Sequence, residues 1–209
     1  MTLHEYWRSS TSYRVRIALE IKGVPYKRRS IDLYSADQRS PGYRALNPSG
    51  GVPTLVLEDG NVITQSMAIM EYLDARYPDP PLLPEDRAAA AKVRAAANVV
   101  ACDIHPLNNL KVTNRLEAMG HSNDDVAEWV RGVTSEGLAA YQALLPEGDL
   151  FSFGASVTLA DLCLIPQMYN ARRCGLDLSA LHRLVDVEAR CLALPAFQVA
   201  LPEAHPDAP

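Results

Sequence analysis

Tyr6-Trp7-Arg8-Ser9-Ser10-Thr11-Ser12-Tyr13-Arg14-Val15-Arg16-Ile17-Ala18-Leu19 is the stretch that decides how the chain is read. Residues 3–7 read as a short strand. Val15, Ala18, Leu19 and Lys22 recur at the three- and four-residue spacing of a helix, so the hydroxyl run falls where a strand gives way to a helix. The first turn of a helix has amide N–H groups with no intrahelical acceptor and carries the positive end of the helix dipole. A hydroxyl-rich turn at that place suits a thiolate, a phosphate or a carboxylate. Serine and threonine also serve there as plain helix caps, and the rest of the chain has to separate the two readings.

Outward from that turn, the helix is expected to stop near Gly23, where a left-handed residue is favoured, and Val24-Pro25-Tyr26 leads to a second strand over 27–31. A short helix fits 37–46, ended by Asn47-Pro48 and the turn Ser49-Gly50-Gly51. Residues 52–57 and 62–63 flank Glu58-Asp59-Gly60-Asn61 and read as a hairpin. Gln65-Ser66 then opens a helix whose apolar face carries Ile69, Tyr72, Leu73 and Tyr77.

Composition changes at Tyr77-Pro78-Asp79-Pro80-Pro81-Leu82-Leu83-Pro84, where proline density forbids a continuing helix. The reading is an N-terminal domain over 1–78, a linker over 79–86 and an all-helical domain over 87–209. Helices are expected over 87–119, 123–145 and 158–174, with shorter ones near the end. Thr158-Leu159-Ala160-Asp161 is a capping box, with Val157 and Leu162 as its staple, which makes Asp161 a structural carboxylate. The tail beyond Leu201, with Pro202, Pro206 and Pro209, is expected to be mobile.

The 209 residues are 48% hydrophobic and 22% charged, an ordinary globular balance. Apolar runs are interrupted by Lys92, Arg94, Asn98 and Asp103, so no membrane span is expected, and His4, Glu5 and Arg8 leave no apolar signal core at the start. A cytoplasmic location follows as the expectation. Cys102, Cys163, Cys174 and Cys191 lack paired or metal-ligand spacing and read as free thiols in packed helices. A net charge of −5 argues against nucleic acid as a partner.

The β-α-β start, Val52-Pro53, the hairpin, Gln65-Ser66 at a helix start and a helical second half together resemble a cytosolic glutathione transferase. The fold so implied is an α/β thioredoxin-like N-terminal domain plus an all-α C-terminal domain. Within that superfamily the stretch from Arg8 to Leu19 resembles the zeta class, whose signature has Ser-Ser-Cys-Ser in the same frame, with Thr11 here in place of the cysteine. Asp103-Ile104-His105-Pro106-Leu107-Asn108-Asn109-Leu110 and Asn170-Ala171-Arg172-Arg173 resemble the same class.

That resemblance implies glutathione-dependent cis-trans isomerisation of a maleyl diketo acid, either maleylacetoacetate or maleylpyruvate. The alternative kept open is a transferase that conjugates or dehalogenates small electrophiles. Adding a thiolate reversibly to the olefin would let the carbons rotate before the sulfur leaves, so glutathione would be needed without being consumed. A free thiol has a pKa near about 8.5, and donors at a helix N-terminus favour the charged form. The resemblance makes Ser9 the first choice as thiolate donor, with Ser10 and Thr11 in support. It also implies a cis Pro53 presenting the Val52 backbone to the cysteinyl part of glutathione, and Gln65 and Ser66 at the γ-glutamyl end.

An acidic diketo substrate calls for guanidinium groups, which grip paired oxygens in a planar fork. Arg8 beside the thiolate site and Arg173, at the end of a helix that in this family faces the same cleft, are assigned to it, with Asn108. Arg14 and Arg16 sit within an amphipathic helix and are read as surface or interface pairs. His105 and Asn109, four apart on one helix face, are assigned to the glutathione side. No metal is expected, because His105 lacks a second ligand at suitable spacing. The family further implies a homodimer.

Overall fold

A computed structural model describes all residues, 1–209, and the chain divides into two compact units, Met1–Leu82 with Leu192–Pro209, and Leu83–Cys191. The first unit has β1 (Thr2–Glu5), α1 (Ser10–Ile21), β2 (Lys27–Ser30), α2 (Pro41–Leu46), β3 (Thr54–Val56), β4 (Val62–Thr64) and α3 (Ser66–Arg76). The sheet order is β2-β1-β3-β4, with β1 parallel to β2 and antiparallel to β3, and β3 antiparallel to β4. Leu3, Ile17, Leu55, Ile69 and Leu73 are fully buried in this unit. Burial of such side chains is worth about 1.5–3 kcal/mol each. The strand, helix and hairpin assignments of the sequence reading hold to within a few residues, and Gly23 ends α1 at φ 60°.

Residues 192–209 differ from the expectation. The sequence reading gives them to the helical domain and calls the last of them mobile. In the structure α10 (Pro195–Ala200) packs on α1, a 3-10 turn follows at Pro202–Ala204, and His205 is buried facing Glu5. Arg14 and Arg16, read as surface or interface pairs, are instead buried inside this unit, Arg14 against Ser66 of α3 and Arg16 against Ala200 of α10. Every residue of α1 from Ser12 to Leu19 is buried, because α3 and α10 pack against this helix and Glu5 of β1 meets Arg16. Arg16 meets that confinement by donating to Glu5 Oε2 at 2.8 Å, Trp7 O at 2.9 Å and Ala200 O at 3.0 Å.

The second unit contains α4 (Arg87–Asn98), a wider π-type turn at Val99–Ile104, α5 (His105–Asn108), α6 (Leu110–Ala118), α7 (Asn123–Ala143), α8 (Leu159–Arg173) and most of α9 (His182–Leu192). The single helix expected over 87–119 is thus three pieces. Pro106 cannot donate to an intrahelical ladder, and Asn109 leaves helical geometry to cap α6, its side chain accepting from Lys111 N at 2.9 Å. Gly137 lets α7 approach the π turn: a Cβ there would lie 2.2 Å from Ile104 Cγ1. The axis of this unit is α8, buried continuously from Leu159 to Met168. All four cysteines are free; Cys163 and Cys191 are buried as expected, whereas Cys102 is exposed. No helix is long and apolar enough to cross a membrane.

Candidate active site

In the first unit the hydroxyl run lies at the N-terminus of α1. Ser9 is the N-cap, in extended geometry, and its Oγ accepts from Ser12 N at 3.2 Å. Ser9 Oγ is also 2.9 Å from Thr11 Oγ1, which donates to Val52 O at 2.9 Å. The Thr11 hydroxyl therefore ties the cap to the peptide before Pro53, and the Val52–Pro53 bond is cis, as the family resemblance implies. The N–H groups of Ser10 and Thr11 and the Ser10 hydroxyl have no acceptor in the chain, and the first turn of α1 contains no acidic residue. Donors are gathered here with no anion of the protein's own to receive them.

A second open helix start lies at α3. Gln65 precedes it at φ 71° and ψ 122°, a region costly for a residue with a side chain and tolerated when the surroundings impose it. No side chain caps this helix and its first turn is free of carboxylates. Ser66 is buried, and its Oγ accepts from Arg14 Nη1 at 3.3 Å, so an arginine the sequence reading sends to the surface lies behind the serine it assigns to the γ-glutamyl end.

Arg8 stands between aromatic rings. Its guanidinium carbon is 5.2 Å from the Trp7 ring centre and 5.7 Å from that of Tyr34, and Nη2 donates to the Tyr34 hydroxyl at 2.6 Å. Motif and spacing do not single out Tyr34, because it lies 26 residues from Arg8 on an irregular loop with no signature around it.

In the second unit Arg172 and Arg173 have different surroundings. Arg172 grips Glu188 through Nε, at 3.1 Å from each carboxylate oxygen, and through Nη2. Arg173 is exposed and makes one long bond to Asn170 Oδ1, 3.4 Å. Asn108 donates to Thr134 Oγ1 at 3.3 Å. His105 begins α5 while Asn109 lies outside it as the cap of α6, so these two do not share one helix face as expected. Asp161 is the structural carboxylate expected of it. Fully buried, it accepts from Ser152 N at 2.8 Å and from the Thr158 N–H and hydroxyl at 2.7 and 2.9 Å. No cluster of three or more histidine, cysteine, aspartate or glutamate side chains could hold a metal.

Comparison with known proteins agrees with this arrangement. A family model described as "Glutathione S-transferase, N-terminal domain" matches residues 8–76. The maleylacetoacetate isomerase of Pseudomonas aeruginosa is 43% identical, the alignment covering 100% of this chain and 99% of that protein. The holo structure of a maleylpyruvate isomerase, described as a bacterial glutathione S-transferase of the zeta class, superposes with a TM-score of 0.97 at 41% identity, covering 100% of both chains. A maleylacetoacetate isomerase from Anaeromyxobacter dehalogenans, solved with dicarboxyethyl glutathione and citrate in its active site, gives 0.90 at 42% identity, over 100% of this chain and 97% of that one.

Proposed function

The chain belongs to the glutathione S-transferase family, in its zeta class, and on that premise we propose that it is a glutathione-dependent cis-trans isomerase that converts a maleyl diketo acid, maleylacetoacetate or maleylpyruvate, to the fumaryl isomer. The observation that carries the reading is the open start of α1, where Ser9, Ser10 and Thr11 converge with unused amide donors and no carboxylate competes for them. Such donors stabilise a thiolate over a thiol. Glutathione, when bound, supplies the thiolate that adds to the double bond and leaves after the carbons have rotated.

The residues fit that guest. We assign the thiolate to Ser9 with Ser10 and Thr11, the cysteinyl backbone to Val52 beside Pro53, and the γ-glutamyl end to Gln65 and Ser66 at the α3 N-terminus. His105 and Asn109 are assigned to glutathione on family resemblance, and Arg8, Asn108 and Arg173 to the acidic substrate. The exposure of Arg173, against the engagement of Arg172 by Glu188, supports that choice between neighbours. We also propose a cytoplasmic homodimer, again on family resemblance.

The test is a spectrophotometric assay of both diketo acids, with and without glutathione, alongside titration of free thiol. Isomerisation should require glutathione and leave the thiol titre constant. Stoichiometric loss of thiol would replace this reading with conjugation.

A further inference from the structure

We propose that Tyr34 is a positioning and specificity residue for the acidic substrate, its hydroxyl clamping the Arg8 guanidinium and presenting its own proton beside it. The inference deepens the assignment of Arg8 to the substrate and rests on it.

An arginine side chain that waits in solvent samples many rotamers, and ordering it on binding weakens affinity. Arg8 is held in advance. Trp7 and Tyr34 lie within cation–π distance of its guanidinium, and the Tyr34 hydroxyl fixes Nη2 at 2.6 Å. That hydrogen bond is the one contact of its polar atoms within the chain, so the remaining guanidinium N–H groups stay available to an anion.

Tyr34 itself is 65% exposed, so burial does not order it. Its backbone does. The Tyr34 N–H donates to Asp32 Oδ1 at 2.8 Å, the Ser35 hydroxyl to Asp32 Oδ2 at 2.7 Å, and Asp37 N to Asp32 O at 3.0 Å, a side-chain-closed turn that fixes where the ring emerges. These bonds also hold the Asp32 carboxyl below its ordinary pKa, first through Ser35 and then through the Tyr34 amide. The Tyr6 ring, centred 6.0 Å from Tyr34 and 5.9 Å from Trp7, braces both.

The direction of the hydrogen bond matters. Arginine only donates, so the phenol oxygen is the acceptor, and the phenol proton is left with no acceptor in the chain. A carboxylate or ketone oxygen approaching Arg8 therefore meets a guanidinium edge and a hydroxyl donor 2.6 Å apart. An uncharged electrophile gains little from that pair, which is why its effect is on specificity.

The experiment compares Tyr34→Phe, Arg8→Met and the parent enzyme. Calorimetry of malonate, a simple dicarboxylate probe, with the glutathione-loaded enzyme gives a readout independent of turnover. Tyr34→Phe keeps the ring and loses only the hydroxyl. It should weaken malonate binding and raise the diketo acid KM about three- to tenfold, as for loss of one hydrogen bond to a charged group at an exposed site. kcat should stay within about twofold, and glutathione affinity unchanged. Parental malonate affinity and KM in Tyr34→Phe, beside a clear loss in Arg8→Met, would overturn the role of Tyr34 alone. Parental values in both variants would overturn the Arg8 assignment, and this inference with it.

Discussion

Two helix N-termini in the first unit and three in the second are treated in opposite ways. In the first unit α1 begins with hydroxyls and spare amides, α3 begins at a strained Gln65, and neither has an acidic residue in its first turn. In the second unit α4 is capped by Asp86 accepting from Ala89 N at 2.8 Å, α7 by the Ser122–Asp125 box, and α8 by Asp161. The dipole and the orphan N–H groups are common to all five. What differs is whether the chain supplies its own anion. Where it does, the terminus is stabilised and closed; at α1 and α3 it does not, and these are the termini proposed above to hold glutathione.

The largest effect is expected from emptying a closed terminus. Asp161→Ala would strand three buried donors, those of Ser152 N and the Thr158 N–H and hydroxyl, and should lower unfolding stability by about 3–5 kcal/mol in denaturant titration. The carboxyl also contributes a pH dependence. Burial raises its pKa despite the opposing hydrogen bonds from Ser152 and Thr158. The folded chain thus holds that proton more tightly than the unfolded one, so this stabilisation is fully present below the ordinary carboxylate pKa and is lost as pH rises through the raised value. Asp161→Asn should flatten that part of the stability profile; an unchanged slope would mean that another group causes it.

The converse change fills an open terminus. Ser10→Asp brings a carboxylate into the first turn of α1, where it would accept from the spare amides much as Asp161 does at α8. Repulsion between unit charges about 4 Å apart is about 4 kcal/mol at an effective dielectric of about 20. Glutathione binding measured by calorimetry should therefore weaken by roughly 2–4 kcal/mol, while thermal stability holds or rises slightly. Undiminished glutathione affinity would show that α1 is only a capped helix.

Features governed by near neighbours in sequence are those the sequence reveals. The Ser9 cap, the hairpin around Asp59-Gly60, the α8 capping box and the stop at Gly23 each depend on residues within a few positions. Burial imposed from afar is not visible in that way. Arg14 and Arg16 look like polar positions of an amphipathic helix; α3, through Ser66, covers Arg14 from 52 residues away, and α10, through Ala200, covers Arg16 from 184 residues away. Glu5, fully buried on β1, is equally silent: burial pushes its carboxyl up, but His205 and Arg16 outweigh it and hold the group below its ordinary pKa. Pro106 and Asn109 do carry a signal for the break between α4 and α6, obscured by the alanine-rich helix before them. Tyr34 carries none, since its partner is set by a loop closed on Asp32.

The smallest expected effect is the sharpest test of the comparison, because it sets two caps of similar stabilising worth side by side. Asp86 and Ser9 each accept one first-turn amide, from Ala89 N and Ser12 N respectively. Replacing either by alanine should cost about 1 kcal/mol of unfolding free energy. If closed and open termini differ only in how the helix is capped, the two variants should be alike in every assay. If the α1 terminus holds a thiolate, Ser9→Ala should in addition raise the pKa of bound glutathione by about one unit, equivalent to about 1.4 kcal/mol. The pH-rate profile then moves to higher pH, since the thiolate fraction at a given pH falls, whereas Asp86→Ala keeps the parental profile. A parental profile in Ser9→Ala would move the thiolate to the Ser10 hydroxyl and the spare amides of Ser10 and Thr11, the donors at this turn that no group in the chain already uses.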